Sequence, residues 1–354
     1  MRTKLAGNYK INSHKLGYMC TNFMIEKSVT HSKNTMIRTH TSEKYVLLLD
    51  GVPKYFLKQI PEYASDLDSV TLRAELIEFL KSKQLAPFLY YSIQKLPYVI
   101  YEKRVWQLYN YVRGAVYKKN AKSINNTASF LSLYHNLADL FCENLPRKLR
   151  PQSFIFKIEL LSGLLKNHLK DLSCCYKTSF FQEVNNLISI IKGCDFAHFT
   201  KTWIHGDFSH NNIIYQNNNP LCLVDFDNSA YGYSIRDLAE LMITSLIMNY
   251  KYKSTNFQEP LKFIEIENSL PFKEIIFLYS KSRAINESEI LFIPVLLRII
   301  FIEFAILGFI REDFNLTKDN FLYLSEFIKK TINKIDHYST AIFYTKVRSY
   351  YEEN

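Results

Sequence analysis

The stretch from 203 to 241 constrains the fold most, because it places polar residues at both ends of two short apolar runs. The runs are Ile-Ile-Tyr at 213–215 and Leu-Cys-Leu-Val at 221–224, and a polar linker that ends in Pro220 separates them. Two strand-prone runs joined in this way predict a β-hairpin. An antiparallel hairpin returns the chain to its starting point, so we expect the loops before and after it to meet.

Three polar side chains lie on those loops: Asp207 and Asn212 before the first run, and Asp225 after the second. Converging carboxylates raise each other's pKa unless a cation lies between them, so the pattern favours a cation site. Carboxylate and amide oxygens suit Mg²⁺, which takes further ligands from substrate phosphates. Another acid in such a cluster can accept a proton from an attacking hydroxyl group. These residue types together indicate phosphoryl transfer.

The spacing of the polar residues resembles a family signature. His-Gly-Asp stands at 205–207, Asn at 212, Asp-Phe-Asp at 225–227 and Asp-Leu-Ala at 237–239. This pattern is similar to that of the aminoglycoside phosphotransferase and choline kinase-like family, and within it to spore-coat-type kinases. The resemblance implies an α+β, bilobal, protein-kinase-like fold. Its N-lobe would be a small antiparallel β-sheet with one helix, and its C-lobe would be larger and mostly α-helical.

We expect the two lobes to divide near Gly114. Residues 1–114 would then form the nucleotide-binding lobe, and residues 115–354 the catalytic and substrate-binding lobe. Apolar residues at helical spacing predict helices in the second part. These helices are expected at 128–141, 154–169, 180–191, 239–250, 291–310 and 319–351.

The resemblance implies a role for each polar residue of the signature. Asp207 would be the catalytic base, and Asn212 and Asp225 would be the Mg²⁺ ligands. Asp227 would contact either the substrate or a second metal ion, and both alternatives stay open.

Three further residues would support the loop that carries Asp207. His205 and Gly206 would shape this loop, since glycine permits a backbone twist that a side chain opposes. Asp237 would open a helix and brace the loop. An acidic, Asn-rich loop alone is more often a solvated turn, and Asp237 alone could be an ordinary helix cap. The complete spacing favours the kinase-like site.

A second hairpin is predicted nearer the N-terminus. A strand at 45–49 leads into Asp50-Gly51, a common hairpin turn, and then into a strand at 54–59. In the second strand, alternation places Tyr55, Leu57 and Gln59 on one face and Phe56 and Lys58 on the other.

Lys58 is the candidate for nucleotide binding, because in the family that this chain resembles a strand lysine in this position reaches the α- and β-phosphates of ATP. A glutamate on the next helix, predicted at 71–84, would hold the ammonium group in place. Glu75 is the first choice for this partner, and Glu78 is the alternative.

The chain departs from the kinase pattern in its phosphate loop. No glycine lies between Gly17 and Gly51, where a glycine-rich loop would belong. The segment at 30–35 takes that place. Its Ser32 and Asn34 tolerate tight turns and can offer backbone N–H groups to phosphate.

Two more strands are predicted at 97–101 and 105–112, on either side of a charged turn. The second ends in Asn110 and Tyr111, whose position resembles the hinge between the lobes of a kinase. Their backbone would meet the edge of the adenine ring. Trp106 and Tyr109, by contrast, are expected to be core residues.

The composition restricts the classes of partner that we expect for this protein. The chain of 354 residues has a net charge of +10, but no Lys/Arg block exceeds two residues, which favours a generally basic surface over a nucleic-acid site. The six cysteines lack metal-site or disulfide spacing, so we expect reduced thiols and a cytoplasmic protein. The longest apolar stretch, 290–310, contains charged Arg298 and Glu303, which indicates a buried helix and no membrane partner.

The sequence therefore predicts a kinase that uses ATP and Mg²⁺ to phosphorylate a hydroxyl group of a small molecule, such as a sugar, an amino alcohol or an aminoglycoside. One alternative is a protein or peptide kinase that acts on a biosynthetic or coat protein. Another is a nucleotide-binding protein without catalysis, which the absent glycine loop suggests. The acceptor, the preference for ATP or GTP and the oligomeric state stay open.

Overall fold

The computed structural model describes residues 11, 13–25, 29–31, 37–39, 42–115, 117, 120–145, 150–154, 156–168, 175–248 and 270–311. By their contacts the residues form two compact units. The first unit takes the chain up to Lys118 together with 210–229, and the second takes 119–209 and the chain from Ala230 onwards. The sequence predicts one boundary at Gly114, whereas the contacts group the segment 210–229 with the first unit.

The first unit contains an antiparallel sheet of seven strands. The strands are β1 Thr30–His31, β2 Ile37–Thr39, β3 Ser42–Leu49, β4 Val52–Gln59, β5 Leu89–Tyr90, β6 Val99–Tyr101 and β7 Arg104–Asn110. The order is β1-β3-β4-β7-β5, with β2 paired to β3 and β6 paired to β7. The unit also contains α1 (Ser13–Asn22) and α2 (Leu67–Ser82), where the sequence predicts only one helix.

Tight turns of two residues join three strand pairs. Asp50-Gly51, Glu102-Lys103 and Asn217-Asn218 have positive φ at both positions. Turns of this kind match the right-handed twist of the strands that they connect. The predicted hairpin after 210 thus uses only the middle of its polar linker as a turn, because β9 (Ile213–Gln216) and β10 (Asn219–Leu223) extend into that linker.

The two faces of β4 differ as the sequence predicts. Tyr55 and Leu57 are buried in a hydrophobic core that includes Met19 of α1 and Leu108 of β7. Lys58 lies on the opposite face and is 2% exposed. One face of the sheet therefore forms a core with α1, and the other carries the buried lysine.

A β-bulge sets the alignment of β3 with β4. Leu48 pairs with Pro53, but the next pair skips Lys54. Proline has no N–H to give to a strand ladder, so an interruption beside it costs little pairing. Beyond the bulge the register is shifted by one residue, and Lys44 of β3 comes to lie opposite Lys58 of β4.

The hairpin of β9 and β10 is antiparallel, which confirms its prediction. It joins the rest of the first unit through Tyr215, whose backbone exchanges hydrogen bonds of 2.7 and 3.1 Å with Ala115. A Cβ atom on Gly114 would lie 2.1 Å from Cγ2 of Ile214, so only glycine allows this close approach.

The second unit is mostly helical. Its helices are α3 Ala121–Glu143, α4 Phe156–His168, α5 Cys175–Lys192, α6 Ile235–Met248, α7 Leu270–Ser280 and α8 Glu287–Arg311. Strands β8 (Lys201–Ile204) and β11 (Ala230–Tyr233) form a small antiparallel sheet. The predicted helices up to residue 311 are present with ends shifted by a few residues, and the helix predicted at 319–351 lies outside the described residues.

The charges of the apolar stretch at 290–310 have partners inside the protein. Glu303 of α8 is 1% exposed and forms an ion pair of 2.6 Å with Arg236 of α6. This confirms a buried helix at that position. Within the described part of the chain, no helix combines the length and the apolar character that crossing a membrane requires.

Candidate active site

A first group of candidate residues, in the first unit, centres on Lys58. Its ammonium group contacts Oδ1 of Asp225, and it lies 2.6 Å from Oδ1 of Asp227. Asp225 is two residues beyond the end of β10, and Asp227 lies in the short 3₁₀ turn of residues 226–228. The strand lysine and the Asp-Phe-Asp motif, 167 residues apart in sequence, thus form one ion cluster within the first unit.

The electrostatics of this cluster favour charged Lys58 and charged Asp225. Burial opposes the charge on Lys58, but Asp225 and Asp227 outweigh it and raise the pKa of the lysine. Burial likewise acts to raise the pKa of Asp225, yet Lys58 and Lys44 hold it below its usual range. Burial dominates at Asp227 and raises its pKa, and the charge of Asp225 adds to the effect against the attraction of Lys58.

A second lysine reaches the same carboxylate. Lys44 of β3 donates a hydrogen bond of 2.7 Å to Oδ2 of Asp225, and its side chain is 15% exposed. The Asp225 carboxylate therefore binds two positively charged groups. A carboxylate that attracts cations in this way can also serve as a metal ligand.

The expected ion pair between Lys58 and Glu75 does not form. Glu75 lies on the exposed side of α2, and the alternative, Glu78, contacts Lys81 at 2.5 Å. Asp225 and Asp227 are the partners that the structure brings to the lysine. The helical position that turns inwards holds a cation instead, Arg73.

Arg73 is buried and donates a hydrogen bond to the backbone carbonyl of Ala64. Burial lowers the pKa of Arg73, although the nearby Asp227 carboxylate opposes this. The inward side of α2 thus adds positive charge next to the Asp-Phe-Asp motif, where a glutamate was expected.

Asn212 and Asp225 lie at neighbouring ends of the hairpin. The backbone N–H of Val224 donates a hydrogen bond of 2.9 Å to the carbonyl of Asn212, which ties the two ends together. Asp225 itself has left-handed backbone angles, with φ of 69°. Asn212 is buried, and its amide oxygen and the Asp225 carboxylate are the hard oxygen donors that Mg²⁺ prefers. These residues fit a magnesium ion.

The hinge residues use their N–H groups within the sheet. The N–H of Asn110 donates to the carbonyl of Phe88, and that of Tyr111 donates to the carbonyl of Lys54, both at 2.9 Å. Both N–H groups are therefore already used within the first unit. Ser32 and Asn34 of the predicted phosphate loop lie outside the described residues.

A second group of candidate residues lies in the second unit, in the loop at 205–208. Asp237, fully buried in the first turn of α6, accepts hydrogen bonds from the N–H groups of His205, at 2.7 Å, and Gly206, at 2.9 Å. Gly206 has φ of 72°, a conformation that favours glycine. The carboxylate of Asp237 therefore holds the backbone of the loop in a twisted form.

His135 of α3 completes the environment of Asp237. Its Nε2 lies 3.0 Å from the carboxylate, and its Nδ1 lies 2.8 Å from the hydroxyl of Tyr279. Burial lowers the pKa of His135 against the attraction of Asp237, so the ring is neutral at pH 7. In a neutral ring, Nε2–H donates a hydrogen bond to the carboxylate, and Nδ1 accepts a hydrogen bond from the tyrosine hydroxyl. His135 is thus a hydrogen-bonded core histidine.

A second buried carboxylate holds the other side of the loop. Glu240 accepts a hydrogen bond of 2.9 Å from the N–H of Phe208, and Arg236 pairs with Glu240 at 3.2 Å. Asp207 lies between backbone groups that are fixed on both sides, and it is half-buried. Its backbone position is therefore well determined while its side chain keeps access to solvent.

Sequence reasoning missed three residues of these two groups. The position of Lys44 opposite Lys58 depends on the bulge between β3 and β4, and the sequence pattern does not reveal this bulge. Arg73 interrupts the apolar stripe of α2, and a charge among buried positions was a signal that could have been read. Glu240 stands four residues after Arg236, the spacing at which opposite charges meet on a helix.

Comparisons with known proteins bear on the family and on the fold. The model of a family described as the phosphotransferase enzyme family matches residues 38–251. A search of curated proteins finds no match. Among solved structures, amicoumacin kinase hAmiN, in complex with AMP-PNP, Ca²⁺ and Ami, is 15% identical over 98% of this chain and 99% of its own, with a TM-score of 0.68.

Two further solved structures share the fold. Choline kinase from Cryptosporidium parvum is 14% identical over 93% of this chain and 97% of its own, with a TM-score of 0.63. Ethanolamine kinase from Plasmodium vivax is 15% identical over 91% of this chain and 85% of its own, with a TM-score of 0.53. At this level of identity, the likeness shows a common protein-kinase-like fold.

Proposed function

Because this chain belongs to the phosphotransferase enzyme family, we propose that it transfers the γ-phosphate of ATP, in the presence of Mg²⁺, to a hydroxyl group of a small molecule. One observation carries the proposal: the buried Lys58 is held by both aspartates of the Asp-Phe-Asp motif. A buried lysine with two carboxylates is costly as a structural device, since each charge loses its hydration. A site that binds a metal–nucleotide complex uses both kinds of charge, because carboxylates bind the metal ion and a lysine binds the phosphates.

The first unit would bind the nucleotide. Lys58 would contact its phosphates, and Asp225 and Asn212 would hold Mg²⁺, which when bound neutralises charge on the transferring phosphoryl group. In the part of the chain that the structure describes, no three His, Cys, Asp or Glu side chains are grouped as a metal site. The proposed ion would instead be held by the carboxylate of Asp225, the amide oxygen of Asn212 and the nucleotide phosphates. Asp227 would contact the substrate or a second metal ion.

The second unit would supply the chemistry at the acceptor. Asp207 would orient the acceptor hydroxyl and take its proton as the phosphoryl group is attacked. His205 and Gly206 would keep the loop in shape through their bonds to Asp237. The loop therefore holds the backbone on both sides of the proposed base in place.

The acceptor class is supported by the structures that share the fold, which are kinases of amicoumacin, choline and ethanolamine. We propose a sugar, an amino alcohol or an aminoglycoside-like molecule for this chain. The test is a transfer assay with purified protein, γ-labelled ATP or GTP, and a panel of small alcohols, with whole-cell protein as a separate arm. Label in small molecules supports the proposal, and label only in protein bands contradicts it.

Replacing Asp225 with Asn should raise the Mg²⁺ concentration that gives half-maximal activity. The amide keeps an oxygen ligand but loses the charge, and a charge-assisted contact is worth roughly ten- to a hundredfold in affinity. The measurement is the initial rate as a function of Mg²⁺ at fixed ATP. Asp68→Asn, at an exposed position in α2, is the matched control. An unchanged Mg²⁺ requirement in Asp225→Asn would show that Asp225 is not a ligand.

A further inference from the structure

Two lysines form hydrogen bonds with the Asp225 carboxylate, one with each oxygen. Lys44 donates to Oδ2 at 2.7 Å, and Lys58 donates to Oδ1. The two lysines lie opposite each other on β3 and β4 because of the bulge at Lys54. Each oxygen of the carboxylate thus has its own ammonium partner.

Two lysines face two aspartates in this cluster, and Arg73 adds positive charge beside Asp227. Lys44 and Lys58 carry two positive charges, and Asp225 and Asp227 carry two negative charges when ionised. A lysine on a strand can extend its ammonium group into water. The Lys44 side chain is only 15% exposed and points to a carboxylate instead. A cation that binds an oxygen of Asp225 would therefore be repelled by the ammonium group already bonded to that oxygen.

We propose that Lys44 is a second phosphate-binding residue, which exchanges its hydrogen bond with Asp225 for one with a phosphate oxygen of a nucleoside triphosphate. This inference rests on the proposed function. The exchange leaves the ammonium group paired with and without nucleotide, and it frees one oxygen of Asp225. It also supplies a cationic donor in a chain that has no glycine between Gly17 and Gly51 to form a phosphate loop.

Lys58 is less suited than Lys44 to exchange a carboxylate partner for a phosphate oxygen. It is 2% exposed and is held by two carboxylates, Asp225 and Asp227. Lys44 has one ion pair among the described residues and is the more exposed of the two lysines. Lys44 is therefore the cation that can change partners at the smaller cost.

The test compares the binding of ATP and adenosine to Lys44→Met and to the wild type by titration calorimetry, with EDTA present so that no transfer occurs. We expect the ATP affinity to fall roughly tenfold to a hundredfold, because a charge-assisted hydrogen bond is lost. Adenosine has no phosphate, so its affinity should be unchanged. Lys83→Met, at an exposed position just after α2, is the control and should bind both like the wild type.

Two companion variants separate binding from folding. Lys44→Gln keeps a hydrogen-bond donor for Asp225 without the charge, and it should show the same loss of ATP affinity in a folded protein. Lys44→Arg keeps the charge and should retain most of the affinity. If the ATP-to-adenosine ratio of Lys44→Gln equals that of the wild type, Lys44 only stabilises Asp225 and this inference is wrong. If the wild type itself binds no ATP, the proposed function fails as well.

Discussion

The Asp207→Asn variant should lose about 10²- to 10⁴-fold in turnover number, while its Michaelis constant for ATP stays close to that of the wild type. A positioned general base contributes an effect of this size. The residues that would contact the nucleotide belong to the first unit and are unchanged by the substitution. The measurement is a steady-state rate with the best acceptor found in the transfer assay.

The matched control for this prediction is Asp195→Asn. Asp195 is an exposed residue of the same unit, and its Oδ1 accepts a hydrogen bond from the N–H of Ala197, which an amide oxygen can also accept. This variant should retain wild-type turnover. Full turnover in Asp207→Asn, with a folded protein shown by circular dichroism, would remove Asp207 from the mechanism.

Local backbone chemistry made much of the first unit predictable. The turn at Asp50-Gly51 and the polar linker after β9 mark their hairpins through residues that tolerate positive φ. Alternation along β4 places Lys58 opposite its core-facing neighbours. These features depend on residues that are close in sequence, so they can be predicted from one amino-acid sequence.

Long-range pairing was much harder to predict. In an uninterrupted hairpin with a turn at 50–51, Lys44 would lie opposite Leu57 and not opposite Lys58. The bulge at Lys54 moves the register by one residue, and such a shift moves a side chain to the other face of a sheet. The pairing of Lys44 with Asp225 could therefore not be derived from the spacing alone.

The partner of Lys58 shows how a family expectation can fail locally. A glutamate on the next helix was expected, but Glu75 lies on the exposed side of α2, and the inward position is occupied by Arg73. Rotation of a helix about its own axis is set by its apolar stripe, and both glutamates lie outside that stripe. The motif-based expectations for Asp207, Asn212 and Asp225 stay predictions, and the Asp207→Asn and Asp225→Asn variants would test two of them.

The other large effect is expected for Asp237→Asn. The buried carboxylate accepts hydrogen bonds from His205, Gly206 and His135, and an amide can accept through only one of its two ends. At least one buried donor is then left without an acceptor, which costs about 1–3 kcal/mol for each such group. We expect the free energy of unfolding at pH 7 to fall by about 2–4 kcal/mol, measured by urea denaturation.

The pH dependence of this loss follows from the direction of the pKa shift. Burial acts to raise the pKa of Asp237, but the hydrogen bonds from His135 and from the backbone of His205 act in the opposite direction, and the pKa is lowered. A carboxyl group with a lowered pKa stabilises the folded state above its unfolded pKa of about 3.9, and this contribution disappears as the pH falls further. The difference in stability between wild type and Asp237→Asn should therefore be constant from pH 7 to about 5 and shrink below about 4.

Activity separates the role of Asp237 in the loop from its role in stability. Asp237→Asn should also turn over more slowly at 10 °C, where most of the protein is still folded, because the N–H groups of His205 and Gly206 no longer share one charged acceptor. Asp195→Asn should match the wild type in both stability and rate. If Asp237→Asn were less stable but had wild-type turnover per folded molecule, Asp237 would support the fold without positioning the loop that carries Asp207.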